Sequence, residues 1–383
     1  MNLELSEEQE AVRELAEDFV AREITPRVVA WDRAESVDKS IVKKLGALGF
    51  LGLTIPEEYG GSGGDHLAYC LVTEELGRGD SSVRGIVSVS LGLVAKTIAS
   101  WGDEEQKRRW LPRLTAGEAV GCFALTEPGT GSDAGNLSTR AVRDGDDYVI
   151  NGSKMFITNG TWADVVLLFA RTGDVPGHRG VSAFLVPADT PGLTRRTVHG
   201  KLGLRGQATA ELVLEDVRVP AATLLGPEGK GFSLAMSALA KGRMSVAAGC
   251  VGIAQAALDA AVRYAGEREQ FGQPIAGYQL VQELISDISV DVDAARMLTW
   301  RVADLVDRGQ DFATAASTAK LFASEAAVRA ANNALQVFGG YGYIDEYPVG
   351  KLVRDARVMT LYEGTSQIQK LIIGRALTGV SAF

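Results

Sequence analysis

The sequence predicts an α+β protein in three parts: an N-terminal helical domain over 1–120, a middle antiparallel β domain over 121–231, and a C-terminal four-helix bundle over 232–383. Three observations predict it. Apolar residues recur at helical spacing through the first part, as Val12, Leu15, Phe19 and Val20 do. From about 121 to 220 the pattern changes to short β-branched and aromatic runs between turn residues, with no helix between them. After Gly229-Lys230-Gly231 long helical stretches return, joined by short connections.

The elements follow in order. Glu7 to Ile24 reads as a helix ended by Pro26, and Ser40 to Leu48 as a second one stopped by Gly49. Pro56 to Asp65 holds Gly60-Gly61 and Gly63-Gly64, but no strand–helix pattern follows, so it reads as a plain connector. Leu67–Leu76, Ser82–Ser100 and Glu104–Leu114 are further helices. In the middle part, Tyr148–Ile150 and Lys154–Thr158 flank Asn151-Gly152, the composition of a type I′ hairpin turn. Asp164–Ala170, Val181–Val186 and Glu211–Val219, the last ended by Pro220, are strands of an antiparallel barrel or sandwich. The C-terminal helices span Phe232–Glu267, Tyr278–Asp307 and Asp311–Phe338, with Asp311 as N-cap and Gly339-Gly340 as the stop. The fourth follows Ser366, which with Gln369 makes a capping box ahead of Leu371 and Ile372.

Composition narrows the chemistry. With 383 residues the chain exceeds one ordinary core, and 46% apolar with 23% charged residues is globular. A net charge of -9 argues against nucleic acid or an anionic membrane as partner. No stretch approaches eighteen uninterrupted apolar residues, and the acidic N-terminus Met1–Glu8 lacks a signal-peptide core, so a cytoplasmic location without membrane insertion is expected. Cys70, Cys122 and Cys250 form no C-x-x-C and suit reduced, buried thiols. With only His66, His178 and His199, neither a metal site nor a histidine-based triad is expected. That leaves carboxylates, arginines and a cofactor. The most telling carboxylate is Glu363, between Tyr362 and Gly364 after an apolar run, where apolar neighbours make a better proton acceptor.

Five motifs then occur in order: Gly121-Cys122-Phe123-Ala124-Leu125-Thr126-Glu127-Pro128-Gly129-Thr130-Gly131-Ser132-Asp133; Gly152 to Gly160; Arg268-Glu269-Gln270-Phe271-Gly272 with Gln279; Gln336-Val337-Phe338-Gly339-Gly340; and Tyr362-Glu363-Gly364-Thr365. Together they resemble the acyl-CoA dehydrogenase flavoprotein family over nearly the whole chain. The resemblance implies FAD as cofactor, an acyl-CoA substrate, an electron-transfer flavoprotein as electron acceptor, and a homotetramer built as a dimer of dimers. It places Thr126 on the isoalloxazine edge, Phe156 over the ring and the Thr158 hydroxyl near N5, with Phe123, Leu125 and Gly131 in the same site. Ser132 falls to cofactor and to the substrate's phosphopantetheine or phosphate portion. Arg268, Phe271, Gln279, Gln336, Gly339 and Gly340 are implied to bind the FAD of a neighbouring subunit, a guanidinium suiting the pyrophosphate; Thr365 and Gln367 complete the cofactor set. No strand-linked G-x-G-x-x-G is present, which disfavours a nicotinamide domain.

By the same resemblance Glu363 removes the α-proton of an acyl thioester while a hydride passes from the β-carbon to flavin N5. Tyr362, Gly364 and Arg243 lie by the substrate, and Lys241-Gly242-Arg243 holds no acid that could replace Glu363 as the base. Relatives that use this fold as monooxygenases or desulfinases generally lose that base.

The helix over Ser81–Ser100 is small and apolar apart from Arg84 and Lys96. Arg84 shares a face with Ser88 and Leu91, and Asp80 to Val89 resembles the stretch of glutaryl-CoA dehydrogenase whose arginine and serine bind the distal carboxylate. The C-terminal Gly374–Phe383 is similar to that subfamily too. The implied alternative substrate is an anionic, glutaryl- or malonyl-type thioester on coenzyme A or acyl carrier protein. Set against it, Arg84 facing solvent or pairing with a structural acid is the plain reading. Gly77 stands where the glutaryl pattern has an acid, and Ser366-Gln367 follows the fatty-acyl form.

Overall fold

The computed structural model describes residues 4–175 and 177–382; the first three residues of the acidic N-terminus and the last of the C-terminal stretch lie outside it. Helix α1, Glu7–Phe19, starts at a Ser6–Gln9 capping box and continues as π-helical turns over Val20–Ile24. Beyond Pro26 comes a helix the periodicity did not predict, α2 (Val28–Ala34), whose two turns are too short for a repeat to register. α3 (Ile41–Ala47) precedes Gly49, whose φ of 76° only glycine adopts cheaply. The glycine-rich connector spends its own amides: Ser62, Gly63 and Gly64 donate to the Gly52, Ile55 and Leu53 carbonyls. Those N–H groups are therefore not offered to a phosphate.

Then come α4 (His66–Gly79), capped by Asp65, and α5 (Ser81–Val87), capped by Asp80. The expected long helix does continue α5, but Ser88–Ala95 is π-helical before α6 (Lys96–Trp101) resumes the tighter winding. Such widened turns concentrate at functional sites. α7 (Glu104–Thr115) closes this part on an Asp103–Gln106 capping box.

Eight strands form one hydrogen-bonded sheet: β1 (Gly121–Ala124), β2 (Arg140–Asp144), β3 (Asp147–Ile157), β4 (Val165–Arg171), β5 (Val181–Pro187), β6 (Leu193–Thr197), β7 (Ala210–Pro220) and β8 (Leu224–Leu225). Their order is β6-β7-β3-β2-β4-β5-β8, with β1 beside β4. Most pairings are antiparallel, but β1–β4 and β2–β4 run parallel. Asn151-Gly152 is not the hairpin turn. It lies inside the continuous β3, where Gly152 (φ 149°) takes up an irregularity in the pairing with β7. The true β2–β3 turn holds Gly145 at φ 63°, a signal the Asn-Gly pair outshone. Alternate residues of β4 serve two cores. Val166 and Leu168 pack with Tyr148, Ile150 and Phe184, while Val165, Leu167 and Phe169 join the core shared with the helices. Burial on both faces is why β4 reads as an unbroken apolar run.

The C-terminal part consists of α8 (Gly231–Glu267), a short β9–β10 hairpin (Glu269–Gln270, Gln273–Pro274), α9 (Gln279–Asp307), α10 (Ala313–Phe338), α11 (Val349–Met359) and α12 (Ser366–Thr378). α11 adds to the four expected helices; it is amphipathic but follows a turn-rich run that hid its start. Asp311 sits just outside α10, whose N-cap is Phe312, and still accepts from the Ala313 amide at 3.1 Å. α10 buries a row of alanines that lets α8 and α9 approach closely.

Two helical runs, Ser81–Trp101 and Gly231–Glu267, are long and apolar enough to cross a membrane, yet they are 94% and 72% buried within the protein itself. Where α4 meets α8 the contact is glycine on glycine: a Cβ at Gly77 would lie 2.7 Å from the Gly249 carbonyl oxygen. Gly77→Ala is therefore expected to cost about 1–3 kcal/mol through overpacking, read as a lower urea midpoint at unchanged slope.

Candidate active site

The turn after α11 carries the candidate base. Leu361 and Tyr362 donate to the Val358 carbonyl, and the chain then passes through two left-handed residues, Glu363 (φ 52°) and Gly364 (φ 92°). The N-cap of α12 is Thr365, not Ser366: its hydroxyl accepts from the Ile368 amide at 3.2 Å. Ser366 instead donates to Glu325 at 2.6 Å, and Gln369 reaches back to the Glu363 and Gly364 carbonyls at 3.1 and 2.9 Å. The shift by one residue has a plain cause: Thr365 and Ser366 are both good caps, and only the tertiary partner Glu325 tells them apart.

The Glu363 carboxylate lies in a notch of α8 where Gly242 has no side chain; a Cβ there would sit on the Glu363 oxygen, with Leu93 beside it. Its Oε2 has no hydrogen-bond partner among the described residues. Burial pushes the carboxyl up to about 7, against the opposing pull of Arg84, Lys320 and Arg243. Arg243 is buried on α8, with Ser317 as its hydroxyl neighbour at 3.4 Å.

Arg84 is 1% exposed, does not face solvent and pairs with no acid among the described residues. Its guanidinium donates to Ser88 at 3.0 Å, to the Tyr362 hydroxyl, and to the Met359 sulfur at 3.5 Å. Ser88 in turn meets Ser245 at 2.7 Å, and Tyr69 donates to Ser245 at 3.0 Å. Room for the arginine comes from Gly249, where a Cβ would fall 2.8 Å from Arg84 Nε. Burial pushes the Tyr362 phenol up to about 12, so it meets the guanidinium as a neutral hydroxyl. The structure thus brings Glu363, Tyr362, Gly364, Arg84, Ser88 and Arg243 together.

The sheet places a second set. Phe156 is left-handed (φ 59°) with its ring 63% exposed, a costly pose for an aromatic residue in a strand. Thr158 is half-buried, 3.4 Å from Gln207. Phe123 packs on Phe169, and the Thr126 carbonyl accepts from the Met155 amide at 2.9 Å. Gly131 and Ser132 lie in an exposed loop, and a Cβ at Gly129 or Gly131 would meet nothing within 4 Å. Holding that loop is a pair to which the motifs alone assigned no role. Lys154 Nζ donates to Glu127 at 2.8 Å and to the Leu125 carbonyl at 3.1 Å, and Glu127 also accepts from Ser138 and the Thr139 amide. Lys154 and neighbouring hydrogen bonds hold Glu127 down at about 2 although burial opposes it, while burial pushes Lys154 down to about 8.

A third set lies apart. Arg268, Gly339 and Gly340 line a cleft of about 570 Å³ with Tyr264, Phe338 and Tyr341, and no residue of the eight-stranded sheet reaches it. Phe271 projects with 95% exposure, and Gln279 and Gln336 are exposed nearby in sequence. Thr365 is committed to its cap, and Gln367 faces solvent. An exposed aromatic face, a neighbouring hydroxyl and open glycine backbone fit a planar, polar-edged ring. The Arg268 cleft, with Gly339 at φ 58°, fits an anionic linker. The residues present therefore fit FAD, divided between two places on one chain.

A helical–sheet–helical chain with these sites defines a class of flavoprotein, and the comparisons name it. The acyl-CoA dehydrogenase N-terminal, middle and C-terminal domain families match residues 6–118, 122–217 and 229–378. A probable acyl-CoA dehydrogenase, YngJ of Bacillus subtilis, is 48% identical over 380 residues, covering 98% of this chain and 100% of that protein. The structure of butyryl-CoA dehydrogenase from Megasphaera elsdenii superposes with a TM-score of 0.96 at 41% identity, covering 98% and 100% of the two chains. A glutaryl-CoA dehydrogenase from Mycobacterium smegmatis, in complex with FADH2, superposes with a TM-score of 0.95 at 37% identity, covering 99% and 96%. The chain belongs to the acyl-CoA dehydrogenase family, FAD-dependent oxidoreductases acting on CH–CH bonds.

Lys154→Met strands Glu127 as a buried, uncompensated charge, and a loss of about 3–5 kcal/mol is expected in denaturant unfolding. The acid limb has a sign as well. Because the folded Glu127 sits at about 2, below its ordinary 4.5, its contribution is full above pH 4.5 and is lost as pH falls toward 2. Glu127→Gln should flatten that part of the stability–pH curve.

Proposed function

We propose that this chain is an FAD-dependent acyl-CoA dehydrogenase that converts an acyl thioester to its trans-2-enoyl form, with Glu363 as the α-proton base. The observation that carries the reading is the Glu363 carboxylate itself: one oxygen unpartnered, seated in the Gly242 notch, with a proton affinity suited to exchange near neutral pH. FAD, when bound, supplies the hydride acceptor. The chain's own residues do the rest. Glu363 accepts the α-proton; its backbone N–H lies where enolate charge develops on the thioester oxygen; Phe156 and Thr158 bound the ring site; Ser132 and the open Gly129–Gly131 backbone receive the carrier arm. Arg268, Gly339 and Gly340 are assigned to the cofactor of a second copy, since their cleft is remote from the sheet residues. That division is what a homo-oligomer with a shared cofactor site would need; the dimer-of-dimers arrangement, an electron-transfer flavoprotein as acceptor and a cytoplasmic location are carried by the family resemblance.

A second reading is favoured by Arg84. A guanidinium this buried, with no carboxylate in salt-bridge reach among the described residues, is costly unless an anion joins it. Arg84, Ser88 and Tyr362 offer three polar groups to the far end of a glutaryl- or malonyl-type acyl chain on coenzyme A or acyl carrier protein. Gly77 departs from the glutaryl pattern, and its packing on Gly249 leaves no room for an acid there.

Anaerobic mixing of the yellow protein with butyryl-, octanoyl-, isobutyryl-, glutaryl- and succinyl-type thioesters tests both readings through bleaching of the flavin. Bleaching by dicarboxylic thioesters alone, lost in Arg84→Ala, is the outcome of the second reading; bleaching by butyryl or octanoyl thioesters with Arg84→Ala unaffected removes it. Glu363→Gln should slow bleaching at least a hundredfold in either case. Because the base must be ionised, the bleaching rate of the native protein should rise with pH through about 7.

A further inference from the structure

The turn that bears Glu363 is gripped from a helix that none of the five motifs reaches at this point. Lys320, on α10, is fully buried, and its ammonium donates to the Gly364 carbonyl at 2.8 Å. Gln369, equally buried, donates to that carbonyl at 2.9 Å and to the Glu363 carbonyl at 3.1 Å. Two consecutive left-handed residues persist only where the surroundings over-determine them, and these donors do so. Lys320 has no ion-pair partner among the described residues; Glu325, its neighbour on α10, is occupied by the Ser366 hydroxyl. A buried lysine paired only with a carbonyl is expensive as a structural prop alone.

We propose that Lys320 is a positioning residue for Glu363, clamping its turn through the Gly364 carbonyl and setting a buried positive charge beside its carboxylate. The inference rests on the reading of Glu363 as the base. Other groups face the same carboxylate: Arg84 from α5, Arg243 from α8, Tyr362 from the turn itself and Tyr69 from α4. Cys250 on α8 lies beside Lys320. Arg84 is committed to Ser88 and Tyr362, and Arg243 lies by Ser317. Of the three cations only Lys320 is bonded to the backbone of the base-bearing turn. Its effect has a definite sign. Burial raises Glu363 and Lys320 lowers it, so removing the charge must raise Glu363 further and leave less carboxylate at neutral pH.

The test compares the native flavoprotein with Lys320→Gln, which keeps a donor but no charge, and Lys320→Met, which keeps neither. The Glu363 carboxyl is titrated by infrared difference spectroscopy against Glu363→Gln, a readout that needs no turnover. In parallel, flavin bleaching by the best thioester of the panel is followed across pH. Both variants should raise the Glu363 midpoint by about one pH unit and slow bleaching about fivefold at pH 7, with recovery in Lys320→Gln as pH rises. Lys320→Met should stay slow even where Glu363 is ionised, since its turn has lost a clamp. Midpoints and pH profiles unchanged in a folded variant would overturn the proposal, and Lys320→Gln decides alone if Lys320→Met does not fold. The two readings fail separately. A midpoint that moves in a protein no thioester bleaches overturns the dehydrogenase reading only; bleaching with an unmoved midpoint overturns the role of Lys320 only.

Discussion

The site depends on the burial of one carboxylate. In a groove of low polarity the ionised form of Glu363 is unfavourable, and the chain offsets this with three cations delivered by three different helices: Arg84 on α5, Arg243 on α8 and Lys320 on α10. None of the three is in salt-bridge contact with it, so the carboxylate is biased without being neutralised. A direct ion pair would make it a poor proton acceptor, and an apolar groove without cations would keep it protonated. The intermediate arrangement gives a group that exchanges its proton near neutrality.

Absent side chains shape the groove as much as present ones. Gly242 makes room for the Glu363 carboxylate, Gly249 for the stem of Arg84, and Gly77 for the backbone of α8 itself. Gly92 does the same for Tyr69, whose hydroxyl would lie 2.6 Å from a Cβ there. The π-helical stretch Ser88–Ala95 belongs to this pattern, because its widened turns bring Ser88 to Ser245 and Ser90 to the Gly121 amide. The π-helical run, α8 and β1 are thus joined by small residues and hydroxyls.

The sheet contributes rigidity where ligands meet loops. Glu127 and Lys154 tie the exposed Pro128–Ser132 loop to β3, two residues before the left-handed Phe156. An exposed left-handed phenylalanine is a local cost that the strand pairing on either side sustains. The Arg268 cleft is held by helix-end contacts instead, with the guanidinium over the Tyr341 ring.

Much of this was legible in the residues. The α–β–α order, the long C-terminal helices, three of the strands and the buried cysteines follow from periodicity, turn residues and local motifs, which act over a few neighbours, whereas the grouping of Glu363, Tyr362, Arg84, Ser88 and Arg243 was expected only through the family resemblance. The errors lie where a distant contact outvoted a local signal. Asn151-Gly152 was drawn into a strand by pairing with β7; Ser366 lost the cap to Thr365 because Glu325 claims its hydroxyl; α2 and α11 are stabilised by packing more than by pattern. Lys320 carries no local mark, and Lys154 sits in a motif that gives it no role, since each matters through a partner 44 or 27 residues away. By itself the sequence determined the α–β–α order, most of the long helices and the candidate carboxylate Glu363. Only the tertiary structure decided that Arg84 is buried with no acid paired to it among the described residues and that Lys320 bonds the turn bearing Glu363, because burial and charge are properties of what surrounds a residue in space.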